Sequence, residues 1–364
     1  MFKNTHIWLG NYIQQGARRL VSQHQLSHPI HIMFCFVDHF EPEWGGADLE
    51  IQRKRVKEWM DKYPSLASRY KDADGCYPKH SFFYPAEVYT KEHLDQLAFL
   101  CRDGFGEVEV HLHHDNDTEE GFRESMEKAK SDFSAHGLLG KDKKTGDIRY
   151  GFIHGNWSLN NSRPDGRWCG VNNESQILKK TGCYADFTFP SAPSDTQTEK
   201  INSIYYDIGG AAQPKSHNTG RDVAVEKGSH DELMIIQGPL ALNWTNRKIG
   251  IFPKIENGDI TGNNPPYNAR VDLWVEQNIC VKNRPEWVFV KIHTHGAQEK
   301  NARALLGDPF DQMCAYLEKK YNDGKSYILH YTTAREMYNI IKAAEAGETG
   351  DPDEYRDYII IRNS

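Results

Sequence analysis

The sequence predicts an α/β chain whose parallel strands are numerous enough to close into a barrel. Three observations carry this. Short apolar runs recur along the chain and alternate with helical patterns, the signature of βα units and a parallel sheet. Seven such runs are present. Polar, chemically capable residues gather where the runs end, and that is the edge on which α/β barrels build their sites.

The elements follow in order. Ile30 to Val37 is nearly continuous in apolar residues and ends in Asp38-His39, as suits a strand buried on both faces. Ser81 to Tyr84 is a second strand, followed by Pro85. Leu94, Leu97, Ala98 and Cys101 then fall at helical spacing before Gly104 and Gly106. Glu107 to His113 alternates: Val108, Val110 and Leu112 face one way, and Glu107, Glu109, His111 and His113 the other. Tyr150 to His154, Tyr184 to Phe189, Leu233 to Gln237 and Trp287 to Ile292 complete the seven. A helix opens at Glu174 and stops at Gly182. Later helices carry Phe310, Met313, Cys314, Leu317 and Tyr321, then Met337, Ile340 and Ile341. The expected organisation is a helical extension over 1–28 and a single barrel domain over 29–364. That domain carries a long loop over 155–173, rich in Asn, Gly and Trp, and helices at its C-terminal end.

Composition narrows the function classes. The 364 residues include 44 basic and 51 acidic side chains, a formal charge of −7 with no basic run, so no nucleic-acid partner is expected. No apolar stretch approaches the roughly 20 residues of a membrane helix. Met1 to Asn4 does not open a signal peptide, and a cytoplasmic location is expected. The cysteine count is odd, seven, with no CxxC pair, which argues against a disulfide framework or a zinc ribbon. Nothing indicates the oligomeric state.

The chemistry concentrates at strand ends. In Glu107-Val-Glu-Val-His111-Leu-His113-His114-Asp115-Asn116-Asp117, two histidines two apart on one strand present both imidazoles to the same side. Asp115 and Asp117 follow with oxygen ligands. Imidazole plus carboxylate suits zinc, manganese, cobalt, nickel or iron. The bland alternative is a solvated strand end. Asp38-His39-Phe40-Glu41 offers a carboxylate as ligand or as base toward a bound water. Its bland reading is a turn, which Asp favours. His293-Thr294-His295 repeats the alternation on the last strand, with either histidine able to move a proton. His154, Asn156, Trp157 and Trp168 are candidate substrate contacts, the indoles by stacking on a sugar face. Asp186, Gln237, His217 and Asn243 are weaker candidates without a defined role. No P-loop, dinucleotide fingerprint or GxSxG elbow occurs.

The order of these motifs resembles the polysaccharide-deacetylase (NodB-homology, carbohydrate esterase) superfamily. Phe36-Val37-Asp38-His39 is similar to its strand ending in paired aspartates, and His80-Ser81-Phe82-Phe83-Tyr84-Pro85 to its Thr-Phe-Phe strand. Gly106 to His111 resembles its metal-histidine strand, and Lys291 to His295 its late catalytic-histidine strand. The resemblance runs from about residue 30 to 297. It departs where the second aspartate becomes His39, where a second histidine becomes Asp115 or Asp117, and where Ile153 to Trp157 replaces an arginine-proline motif.

The resemblance implies an irregular seven-stranded parallel (β/α) barrel and one divalent ion, zinc first among the candidates. Asp38, His39, His111, His113, Asp115 and Asp117 are the ligand candidates. The implied reaction is hydrolysis of an N- or O-acyl group on a carbohydrate, with Asp38 as base and His295 or His293 as acid; Glu41 is a substrate contact or the alternative base. Hydrolysis of another C–N bond, or of a glycosidic bond, is the second expectation on the same barrel. An inactive carbohydrate-binding protein is the third.

Overall fold

The computed structural model describes residues 3–22, 29–210, 213–227 and 231–363. Its core is one large, mostly parallel sheet. The strands that build it are β1 (Ile30–His39), β2 (His80–Pro85), β3 (Gly106–Leu112), β4 (Ile148–His154), β5 (Cys183–Asp186), β6 (Met234–Ile236), β7 (Trp287–Thr294) and β8 (Tyr327–Thr332). All seven expected strands are present, and their spatial order is β7-β1-β2-β3-β4-β5-β6, every neighbour parallel.

That order is the one a barrel would have, but the sheet is not closed. The free edge of β6 pairs antiparallel with Ile204–Tyr206, and the free edge of β7 pairs with Asp259–Ile260. Among the described residues no ladder joins β6 to β7. The two regions still approach closely: a Cβ on Gly238 would lie 2.3 Å from the Lys291 carbonyl oxygen. The Lys291 ammonium donates to the carbonyls of Phe187 and Phe189. This side chain ties β7 to the segment that follows β5.

β8 is an addition to the expected set. It pairs with β1 over residues 30–35, while β2 pairs with β1 over 36–39. The two strands thus share β1 along its length. The long run of β1 makes this possible: all ten of its residues are buried.

Nine α-helices lie among the described residues: α1 (Leu9–Ser22), α2 (Leu49–Ala67), α3 (Lys91–Arg102), α4 (Glu119–Ser134), α5 (Glu174–Thr181), α6 (Asn268–Glu276), α7 (Glu299–Leu305), α8 (Asp308–Tyr321) and α9 (Ala334–Ala346). None is long and apolar enough to cross a membrane. Helix α1 falls in the expected extension over 1–28, of which residues 1–2 and 23–28 lie outside the described residues. Helix α5 ends at Gly182 with φ 102°, a left-handed cap that glycine adopts without strain.

Period-two alternation divides the sheet into two apolar layers. Ile32, Phe34 and Phe36 of β1 pack with Trp59 and Tyr63 of α2 and with Val108 and Val110 of β3. Met33, Cys35 and Val37 face the other way, toward Ile153, Phe289 and the α9 residues Met337, Ile340 and Ile341. Helix α9 is buried nearly throughout. A Thr333–Glu336 capping box opens it, and Arg335 pairs with Glu107 on the second face of β3.

Candidate metal centre at the strand ends

His39, Glu41, His111, His113 and His295 meet at the C-terminal ends of β1, β3 and β7. Ligand-capable atoms of His39, Glu41 and His295 lie within 4.8 Å of one another, and so do those of Glu41, His111 and His113. Glu41 is common to both groups. Its Oε1 is 3.1 Å from His111 Nε2 and 3.4 Å from His113 Nε2. Such separations are those of neighbouring ligands around one small ion, about 3.3 Å for bonds near 2.0–2.1 Å.

Each ring is oriented from behind. His111 Nδ1–H donates to the Ile153 carbonyl at 3.0 Å, which leaves Nε2 toward Glu41. His113 Nδ1 meets Glu87 Oε1 at 2.6 Å. Outer partners of this kind fix the tautomer of a ligating imidazole. His39 stacks on His295, with centroids 4.6 Å apart, and the His39 Nδ1 is buried without a hydrogen-bond partner. A buried, unsatisfied ring nitrogen beside a carboxylate fits a cation site.

The electrostatics divide the cluster into two neutral rings, His39 and His295, and one, His113, whose carboxylate partners hold on it a proton that a bound ion would displace. Burial, then the surrounding histidines, hold His39 well below its usual pKa. Burial also lowers His295. Both rings are therefore neutral, with lone pairs available. Burial alone would raise the Glu41 carboxyl, but hydrogen bonds from His111 and His113 outweigh it and hold it well below the carboxylate range. Burial would lower His113, yet its bonds to Glu41 and Glu87 raise it to about 10. Glu43 stands nearby, pushed up to about 7 by burial, with the Glu41 and Glu87 charges adding to the shift.

The other expected residues stand elsewhere. Asp38 is on the opposite face from His39, as alternation along a strand requires. Its Oδ2 meets His80 Nε2 at 2.7 Å, and its Oδ1 accepts the Gly296 N–H at 2.6 Å. Trp59 Nε1–H holds the Gly296 carbonyl from the other side at 3.0 Å. Asp38 thus clamps the turn that carries His295. Asp115 Oδ1 accepts the Trp168 N–H, and Asp117 Oδ2 meets His114 Nδ1 at 2.9 Å; neither joins the cluster. His293 is buried one pair earlier on β7 and lies outside it.

Of the expected substrate contacts, Trp157 is the one placed over the cluster. Its ring centroid is 6.2 Å from both His39 and His295, and its indole N–H is buried without a partner. Trp168 lies against Arg163 and Arg167. His154 is fully buried, and the Asn156 N–H points at its Nδ1 from 3.2 Å. Asp186, Gln237, His217 and Asn243 tie loops together through Thr188, Thr198, Asn160 and Tyr267. Trp44, which the sequence does not single out, stands half-exposed with its ring 6.4 Å from His295. Its signal was position: it follows Glu41 by three residues in the same strand-end loop.

No protein-family model matches the chain, and no curated protein sequence matches it.

Proposed function

We propose that the chain is a metal-dependent hydrolase that removes an N- or O-acyl group from a carbohydrate, a divergent relative of the polysaccharide deacetylases. The observation that supports this best is the sharing of one buried carboxylate, Glu41, by four imidazoles at the strand ends. His39, Glu41, His111 and His113 would hold one divalent ion. When bound, such an ion supplies Lewis acidity, which brings a water pKa toward about 7 and offsets charge on an acyl oxygen.

The remaining work falls to protein groups. Neutral His295 accepts the proton of the attacking water and returns it to the departing amine or alcohol. Asp38 acts at one remove, through the Gly296 turn. Trp157 offers its unpartnered N–H, and Trp44 an exposed ring for a sugar face. The exposure of Trp44 and His113, at half and about a third, leaves an approach from solvent.

The test is release of acetate from a panel of N- and O-acetylated oligosaccharides, using protein loaded with zinc, manganese or cobalt. Turnover that disappears in His111→Ala/His113→Ala supports the reading. Sugar binding without turnover under every metal turns it toward a binding protein.

A further inference from the structure

Next to the first cluster, on the opposite face of the same strand end, His114, His154, Cys169 and Glu174 converge with ligand atoms within 4.8 Å of one another. His114 Nε2 is 2.8 Å from Glu174 Oε1 and 3.0 Å from His154 Nε2, and His154 Nε2 is 3.6 Å from Glu174 Oε1. Cys169 Sγ is 3.0 Å from Glu174 Oε2. Four bonds of about 2.0–2.3 Å in a tetrahedron separate their ligands by about 3.3–3.7 Å, close to this spacing. We propose that these four side chains form a closed zinc-type site, distinct from the Glu41 cluster, that fastens the 155–173 loop to the sheet.

The buried carboxylate at the centre of the group calls for positive charge here. His114 Nδ1 meets Asp117 Oδ2 at 2.9 Å, which turns Nε2 toward Glu174; burial would lower the pKa of this ring, yet the Glu174 and Asp117 carboxylates raise it. Glu174 Oε1 is fully buried and receives no hydrogen bond, although it lies 2.8 Å from that nitrogen. A ring nitrogen this close to a buried carboxylate oxygen needs positive charge between them, which a proton on Nε2 supplies in the metal-free chain and a metal ion would supply in its place. The His114–Asp117 pair is also the carboxylate–histidine arrangement that orients metal ligands.

The sulfur is a thiol whose proton a bound ion would displace: it donates to Glu174 Oε2 at 3.0 Å and to the Val171 carbonyl at 3.3 Å, and burial together with the Glu174 charge raises its pKa. Cys169 Sγ accepts N–H groups from Asn161 and Val171, each at 3.3 Å, and donors of this kind favour an anionic sulfur. Gly170, with φ 101°, allows the approach: a Cβ there would lie 2.6 Å from the Asp117 nitrogen. The Asp117 N–H in turn donates to the Cys169 carbonyl at 2.9 Å. His154 is the fourth ligand. Its ligating tautomer gives up two long contacts, at 3.2 and 3.4 Å, from the Asn156 and Ser158 N–H groups.

His154, Cys169 and Glu174 have no exposed surface. Complete burial with four protein ligands marks a structural site rather than a catalytic one. Its service to the first cluster is indirect: it anchors both ends of the loop that carries Trp157.

The test is cobalt loading of the metal-free full chain. Sulfur ligation gives a thiolate-to-cobalt charge-transfer band in the near ultraviolet, which the Glu41 cluster, having no sulfur, cannot produce. The wild type and His111→Ala/His113→Ala are expected to show this band at full intensity. Cys169→Ser is expected to lose it, and Glu174→Gln to bind cobalt at least about tenfold more weakly at this site. Absence of the band in the wild type overturns the proposal whatever the variants do, and so does its persistence in Cys169→Ser. Failure of the hydrolase reading would show separately, as equal metal content in the wild type and His111→Ala/His113→Ala.

Discussion

His111 Nε2 lies 3.1 Å from Glu41 Oε1 while the opposite nitrogen of the same ring donates to the Ile153 carbonyl. The ring is pinned from β4 and turned toward a carboxylate on the loop after β1. Removing the carboxylate charge should therefore be felt first in metal binding. Glu41→Gln is expected to weaken divalent-ion binding by more than the about 10–100-fold typical of an outer partner. Glu87→Gln, which touches His113 from outside, should fall within that range. Isothermal titration of metal-free protein with zinc checks both, and equal affinities would place Glu41 outside the ligand set.

His295 moves a proton in the proposed reaction and is not counted among the ligands. His295→Gln should lower kcat by about 10²–10⁴-fold with the ion retained. Elemental analysis beside an acetate-release assay separates the two effects. Loss of the ion together with activity would make His295 a ligand instead.

Gly296 is held between Asp38 and Trp59, and a Cβ on it would meet Asp38 Oδ2 at 2.1 Å. Gly296→Ala must push the carboxylate away from His80 or shift the turn. A destabilisation of about 1–3 kcal/mol is expected, as for overpacking in a filled core, with a fall in kcat because His295 moves. Urea unfolding and steady-state kinetics measure the two parts. Unchanged stability would show that the turn is not clamped.

Trp44 is half-exposed beside His295. Trp44→Ala should leave thermal stability and metal content unchanged. Its KM for an acylated oligosaccharide should rise about two- to tenfold, the worth of one aromatic contact of about 0.5–1.5 kcal/mol. An unaltered KM would remove Trp44 from the substrate path.

The seven parallel strands were legible because each is an apolar run with a polar end. β8 was not, since four of the six residues of Tyr327–Thr332 are polar or hydroxylated, and its burial comes from pairing with β1 and from the His31–His330 contact. Closure of the sheet was expected from the number of strands and from the family resemblance, not from any edge contact. Whether β6 reaches β7 depends on the Ile204–Tyr206 and Asp259–Ile260 segments that occupy their edges, which no local pattern reveals.

In the site, the i, i+2 spacing of His111 and His113 correctly implied a shared face. The same rule, applied to Asp38 and His39, separates them, and the motif resemblance drew Asp38 inward against it. Asp115 and Asp117 follow the strand and belong to the loop contacts. Cys169 and Glu174 went unnoticed because they lie more than fifty residues from His114, brought to it by the turn at Gly170 and the start of α5.

Metal content of the purified wild type beside His111→Ala/His113→Ala, by elemental mass spectrometry, tests the central claim most directly. The account predicts that the variant, still folded by circular dichroism, holds one divalent ion per chain fewer than the wild type. Equal content in the two proteins would contradict it.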